Sequence, residues 1–437
     1  STLEMRPHRF YYGWVIVAVS FFTLFMAVGI RNSFGVFYIA VLNEYGWGRA
    51  ETAGVFSLAM LVHAFFCPVT GTLIDRFGPR KLFPVGSIFL MAGLIAASQI
   101  ATLFHFYVFF GVIVAIGINT LSYSPHMSLI PIWFFRKRGL ASGVVLAGIG
   151  IGAMILLPLT QLMIDAFGWR SAFLLLACII LAFIFPINAL FHRRSPEEVG
   201  QAVDGKAAGP DKALSRQSEE RLKESQPFQP PQQWTLKAAV RTKSFWYAAL
   251  VFFSNGFLTN MMVVHQAVYI VDVGYTKLLA ASLVGIVGLL GSMGGILWGL
   301  LSDHIGREKS YTLGNGTAMA GLLFFMFMRD ATTPWMLYAF VILYGIGFGS
   351  LGSVTASTAG DLFPGTSLGR IIAMYSVAFG LGGALGPYLA GYFHDLRGSY
   401  VVPFLLLQVS ILVGIFGIWM AAPRHRRTAY QKDAPSA

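Results

Sequence analysis

Gly71-Thr-Leu-Ile-Asp75-Arg76-Phe-Gly78-Pro79-Arg80-Lys81 is a short charged stretch between two long apolar runs, and the chain carries its like a second time. The second copy reads Gly299-Leu-Leu-Ser-Asp303-His304-Ile-Gly306-Arg307-Glu308-Lys309. A short connection between two membrane helices needs an acid to cap a helix end. It also needs a glycine to reverse the chain and cations to hold the loop on the cytoplasmic side. Both copies supply all three, so each predicts a tight hairpin between two membrane-spanning helices.

The rest of the chain has the composition that such hairpins require. Of 437 residues, 56% are hydrophobic and 11% charged, and the mean hydropathy is +0.67, which excludes an ordinary soluble domain. About 20 apolar residues cross a bilayer as helix. Twelve stretches of that kind lie near 12–41, 51–74, 82–102, 105–134, 139–164, 170–191, 244–271, 278–302, 310–328, 334–361, 367–393 and 399–421. The short alternating segments of a membrane β-barrel are absent, so the predicted fold class is an all-α membrane protein with twelve transmembrane helices.

A net charge of +12 invites a nucleic-acid reading, but the placement of the cations argues for topology instead. With both termini in the cytoplasm, 25 Lys and Arg fall on that side and five (Arg49, Arg170, Lys277, Arg329 and Arg397) outside. The positive-inside rule selects this orientation. Arg31 alone falls within the membrane. Cys67 and Cys178 lie inside apolar runs and read as small hydrophobes, without a disulfide framework. The first apolar run is longer than a signal peptide and lacks a small-residue cleavage site, so it is expected to remain as the first span.

Landmarks recur at a nearly constant offset: Asp75 and Asp303 by 228, Gly139 and Gly369 by 230, Asp165 and Asp395 by 230. The chain therefore reads as a duplication. The expected domains are a six-helix bundle over 1–194, a cytoplasmic linker over 195–240, a second six-helix bundle over 241–422 and a cytoplasmic tail over 423–437. The linker is polar and rich in charge, Pro and Gln, which predicts a solvated, largely disordered tether. Glycines cluster before a proline in the fifth span (Gly143, Gly148, Gly150, Gly152, Pro158) and again in the eleventh (Gly380, Gly382, Gly383, Gly386, Pro387). Small residues of this kind serve close helix packing, and at matched positions of two repeats they also point to a rocking interface.

The hairpin motif resembles that of the major facilitator superfamily, whose loop after the second helix reads G-x-x-x-D-R-x-G-x-R-[KR]. Gly71, Asp75, Arg76, Gly78, Arg80 and Lys81 fit it, and the second copy keeps Gly299, Asp303, Gly306 and Arg307 with His304 where Arg is usual. The resemblance implies two six-helix halves in parallel repeat, a central cavity lined by the first, fourth, seventh and tenth helices, and transport by alternating access. It also implies a gating role for Asp75, Arg76, Arg80, Arg138, Asp303 and Arg307. Two further stretches, Asn43-Glu44-Tyr45-Gly46-Trp47-Gly48-Arg49 and His265-x-x-x-Tyr269-x-x-Asp272-x-Gly274, resemble the branch of monocarboxylate porters and oxalate/formate antiporters. Members of that branch often carry an arginine in the eighth helix that binds the substrate carboxylate. Here that position is Gly295, so a carboxylate needs another cationic partner.

Polar groups in the four cavity helices are the expected substrate-binding residues. Arg31 lies about 20 residues into the first span, where a charge costs roughly 2.5–3.5 kcal/mol on insertion scales and is functional by default. In the fourth span Asn119, Tyr123 and His126 fall at i, i+4 and i+7, one face of a helix. In the seventh, His265, Tyr269 and Asp272 repeat that spacing, with His265 titrating nearest neutral pH and Asp272 toward the outer mouth. These two are the expected proton-coupling residues. Tyr344 and Tyr375 complete the set.

The expectation is a secondary transporter in the cell membrane that moves a small organic anion, a carboxylate, with a proton. It acts as a monomer, without cofactor, metal, nucleic acid or catalysis. Export of a larger, less polar molecule and a transporter-like sensor without flux are the alternatives.

Overall fold

The computed structural model describes residues 11–134, 137–203, 234–364 and 367–421, with the backbone alone at Asp75 and Arg138. The central part of the predicted linker and the predicted tail lie outside the described residues. Everything described is helix or short connection. In chain order the helices are α1 (Gly13–Asn32), α2 (Phe34–Tyr45), α3 (Arg49–Phe77), α4 (Pro79–Ser98), α5 (Leu103–Phe106), α6 (Ala115–Thr120), α7 (Tyr123–Trp133), α8 (Arg138–Ile179) and α9 (Phe185–Phe191). They continue with α10 (Leu236–Val240), α11 (Lys243–Asp272), α12 (Lys277–Ile305), α13 (Arg307–Phe327), α14 (Pro334–Phe348), α15 (Ser350–Leu362), α16 (Leu368–Arg397) and α17 (Val401–Ala421). Wider π-type turns at Tyr107–Val114 and Ile180–Ile184 join α5 to α6 and α8 to α9.

Ten helical segments among the described residues are long and apolar enough to cross a membrane. Their outer faces are apolar as well: Phe65, Phe183, Met293, Ile296, Leu300 and Phe416 are exposed, which a water-soluble surface would not tolerate at this scale. This is a multi-pass membrane protein.

Both predicted hairpins form, and each turns on a single residue. α3 ends at Phe77 and α4 begins at Pro79, with Gly78 between them at φ +76° and ψ 167°. α12 ends at Ile305 and α13 begins at Arg307, with Gly306 at φ +95° and ψ 157°. That region of backbone space belongs to glycine, so the motif glycine is a geometric requirement of the turn. Pro79 occupies the first helical position, where its missing N–H costs nothing. Gly168, at φ +81°, breaks the long α8 in the same way.

Elsewhere the ends are set by local chemistry. The hydroxyls of Thr242 and Thr276 accept from the N–H groups of Phe245 and Leu279 to cap α11 and α12. Gly46 and Gly398 close α2 and α16 in the left-handed region.

The helices pack through the glycines noted in the sequence. A Cβ at Gly148 or Gly152 would lie 2.6 or 2.4 Å from the Phe21 or Phe25 carbonyl of α1, while one at Gly150 would meet the Ser292 hydroxyl of α12. Gly382 and Gly386 lie against the backbone of α11 at Phe253 and Phe257, and Gly380 lies on Ala64 of α3. Gly143 has open space. The cluster thus seats α8 on both α1 and α12, and α16 on both α11 and α3.

Candidate functional site

α1 and α2 form one apolar run from Gly13 to Tyr45, interrupted at Ser33, whose hydroxyl turns back to the Gly29 carbonyl at 2.9 Å. Arg31 and Asn32 sit just before this break, near the middle of the run, and each lines a cavity between helices. On the Arg31 side a space of about 10 Å³ is lined by Arg31, His63, Phe56, Ala59, Met60, Phe110, Ala115 and Ile118. On the Asn32 side one of about 50 Å³ is lined by Asn32, Thr259, Gln266, Tyr344 and the apolar Ala153, Leu157, Val284, Val287, Gly288 and Phe348. A water needs roughly 10–15 Å³ of such volume. The first space has room for about one water and the second for a few, less than a metabolite needs in this conformation.

Three polar atoms at these cavities lack protein partners. Arg31 Nε is buried without a hydrogen bond, and no carboxylate lies within ion-pair distance of Arg31 among the described residues. Asn32 Oδ1 and Gln266 Nε2, an acceptor and a donor on the same cavity, are likewise buried and unpartnered. Buried polar groups are ordinarily satisfied, and unpartnered ones beside a cavity are open to water or to a ligand.

The predicted residues divide. Arg31 and Tyr344 line the cavities. Asn119 supports one from behind: its amide nitrogen lies 2.9 Å from His63 Nδ1 and 3.1 Å from the His63 carbonyl, and its oxygen 2.6 Å from the Thr70 hydroxyl.

The single face expected of Asn119, Tyr123 and His126 does not exist. The helix breaks at Leu121 and Ser122, where Ser122 is extended, and the i, i+4, i+7 relation is lost. Tyr123 is exposed, while His126 is fully buried, stacked on Phe83 at 4.3 Å and 3.1 Å from the Ser20 hydroxyl. Tyr375 is also elsewhere, sandwiched between Phe245 and Phe252 in a separate apolar cluster.

His265, Tyr269 and Asp272 belong to a polar network at the end of α11. Arg49, at the start of α3, grips Asp272 through both terminal guanidinium nitrogens, at 2.6 and 3.1 Å, and donates to the Tyr400 hydroxyl at 2.8 Å. The Asp395 carboxylate caps α3 by accepting from the N–H groups of Arg49 and Ala50 at 3.0 and 2.8 Å. Both ring nitrogens of His265 are occupied. Nε2–H donates to the Pro387 carbonyl at 2.9 Å, so Nδ1 accepts from the Tyr400 hydroxyl at 2.9 Å. Tyr269 donates to the Met328 carbonyl at 2.7 Å. These residues join helices and do not face either cavity.

At the hairpins, the side chains of Asp75 and Arg138 lie outside the described residues. Arg76 and Arg80 are exposed and form no ion pair among the described residues, Arg76 lying over the Phe77 ring. In the second copy Arg307 is the centre: it meets Asp303 at 2.7 Å and Asp361, at the end of α15, at 2.9 Å.

Sequence reasoning missed His63, Asn32 as a cavity residue, Thr259 and Gln266. His63 is a lone polar residue in an apolar run, and the other three stand beside polar neighbours that drew the reading instead or gave it no direction. His265 attracted attention because it titrates, yet its neighbour Gln266, about 100° around the helix, is the one that reaches the cavity.

Residues 19–359 and 293–436 match the sequence model of the Major Facilitator Superfamily. Monocarboxylate transporter 13 of Bos taurus is 26% identical over 403 residues, 92% of this chain and 88% of that protein. Monocarboxylate transporter 12 of Mus musculus is 25% identical over 440 residues, 95% and 87% of the two chains. Among solved structures, a D-xylose-proton symporter superposes with a TM-score of 0.70 at 15% identity, covering 94% of this chain and 98% of that one. A bacterial homolog of the human lysosomal transporter Spinster, inward-facing and occupied, gives 0.68 at 12% identity, covering 99% and 100%.

Proposed function

We propose that this chain, which belongs to the Major Facilitator Superfamily, is an alternating-access transporter that carries a small organic anion, a carboxylate, together with a proton. The observation that carries the reading is Arg31, a guanidinium beside a cavity in the middle of an apolar run, with no carboxylate among the described residues to neutralise it. Keeping that cation in hydrocarbon is costly unless something compensates for it, and a substrate carboxylate held through two parallel hydrogen bonds does so. The monocarboxylate transporters among the relatives support the substrate class. Asn32 and Gln266, on the adjoining cavity, are placed to meet the hydroxyl or carbonyl of a substituted acid.

The architecture we assign has twelve spans and cytoplasmic termini. Ten segments cross by length and composition; the break at Gly168 divides one into two, and α13 supplies the last. The halves are 1–194 and 241–422, and the polar network of Arg49, Asp272, Asp395 and Tyr400 closes the outer side between them.

Purified protein should be stabilised by the monocarboxylate it takes, by about 2.7 kcal/mol at a hundred times Kd. Arg31→Lys should weaken binding at least tenfold, since an ammonium cannot reproduce the two-pronged contact, worth roughly 1.5–3 kcal/mol for hydrogen bonds to a charge. Arg31→Ala should abolish binding while the apo protein still folds. Normal binding by Arg31→Ala sinks the anion reading. Export of an uncharged compound then takes its place, a reading favoured by the apolar Ala153, Leu157, Val284, Val287 and Phe348 around the larger cavity.

A further inference from the structure

His63, on α3, shares the small cavity with Arg31, and its surroundings decide which of its nitrogens carries the proton. The deciding residue is Asn119 on α6. Its amide nitrogen lies 3.1 Å from the His63 carbonyl, which can only accept, so that position must be the NH2 end of the amide. The amide oxygen then faces Thr70, one of whose roles is to donate its hydroxyl at 2.6 Å. A flipped amide would set oxygen against the His63 carbonyl, and the orientation is therefore fixed. The same NH2 group also points at His63 Nδ1, 2.9 Å away, and Nδ1 must accept. In the neutral imidazole the remaining hydrogen sits on Nε2, which makes no hydrogen bond to another described residue.

We propose that His63 is the second donor of the anion site, a specificity-determining residue whose Nε2–H and the Arg31 guanidinium hold the same carboxylate. The inference rests on the reading of Arg31 as the substrate's cationic partner. The site's chemistry is one-sided: a cation and a neutral donor converge on a space otherwise lined by Phe56, Ala59, Met60 and Phe110. A group with only acceptor atoms satisfies both. An amide or an amine presents a donor to one of them and leaves buried N–H groups opposed, the kind of mismatch on which sites discriminate strongly. Thr70 and Asn119 act through His63 and are positioning residues.

Two substitutions separate this role from packing. Asn at 63 can keep the acceptor that faces Asn119 and loses the donor toward the cavity, whereas Gln places an N–H near the former Nε2. The probes are acetate, lactate, pyruvate and benzoate, each beside its amide, titrated onto the purified full-length protein and its variants by calorimetry and thermal shift. Loss of one hydrogen bond to a charge predicts that His63→Asn binds the preferred acid about tenfold or more weakly. His63→Gln should stay within a few fold, and the preference for acid over amide should shrink in the Asn variant alone. If Arg31→Ala abolishes binding yet His63→Asn stays within twofold of wild type, His63 is structural and this inference falls while the Arg31 reading stands. If no acid binds the wild-type protein, both fall. Should His63→Asn fail to fold, Thr70→Val decides: it frees the Asn119 amide without entering the cavity, and unchanged acid binding in that variant overturns the proposal.

Discussion

Arg49 ties four helices at one end of the molecule. Its side chain holds Asp272 of α11 and the hydroxyl next to α17, its carbonyl accepts from Tyr38 of α2 at 2.9 Å, and its N–H meets Asp395 of α16. The pair with Asp272 is partly exposed, at 21% and 35%, so its intrinsic worth is discounted by solvent to about 1 kcal/mol or less. Its effect on transport is larger than on stability if the pair must open in each cycle. Asp272→Asn is therefore expected to change the uptake rate several-fold while leaving the Kd of the solute within twofold. The exchange Arg49→Asp with Asp272→Arg should recover part of the loss, and a double-mutant cycle on uptake rates checks the coupling. Wild-type rates in Asp272→Asn would mean that this contact does not take part in the cycle. His265 belongs to the same network through Tyr400, and its occupied nitrogens make it a bridge between α11 and α16. Its imidazole was conspicuous in the sequence because it titrates. What the spacing could not reveal is that both nitrogens are used by neighbours from distant parts of the chain.

At the scale of the helices, the close approaches are made by glycines with backbone directly against them. A Cβ at Gly256 would lie 1.9 Å from the Phe379 carbonyl, and one at Gly349 would lie 2.1 Å from the Gly295 nitrogen. Backbone cannot yield as a side-chain tip can, so Gly256→Ala and Gly349→Ala should lower stability by roughly 1–3 kcal/mol through overpacking. Gly143→Ala, in open space, should be neutral or slightly stabilising. Melting temperatures of the purified variants test the contrast, and equal values for the three would refute it. Gly295 is a more useful case. A Cβ there meets just the Gly349 carbonyl at 3.6 Å, an ordinary contact, and the residue lies two turns beyond Gly288 on the cavity side of α12. An arginine is thus sterically admissible at its root. Arg31→Ala with Gly295→Arg should regain part of the acid binding lost in Arg31→Ala; calorimetric titration with the preferred acid decides it, and no recovery would separate the two positions.

For the molecule as a whole, the polar stretch of 204–233 is expected to tether without organising. A protease site inserted there and cut after purification should leave both pieces eluting together in detergent, because α3 with α16 and α8 with α12 pack through buried glycine contacts. Separation of the pieces would show that the tether holds the assembly. Membrane insertion, helix content and the two hairpins were legible in the sequence because the bilayer imposes length and hydrophobicity on each span independently. The turn glycines were legible for a similar reason, since Gly78 and Gly306 answer to local backbone geometry. Arg31 stood out through the cost of its own charge. Asn119 was named as well, but the rest of the site was not, because His63 and Gln266 are ordinary polar residues until the helices carrying them are set side by side. A break at Leu121 and Ser122 rotated Tyr123 and His126 away from the face that periodicity assigned them. The sequence by itself determined what must lie in the membrane and where the chain must turn, both local energetic constraints. Which polar atoms face a cavity and which are spent on neighbours was decided by tertiary packing alone, since hydrogen-bond satisfaction depends on partners distant in the chain.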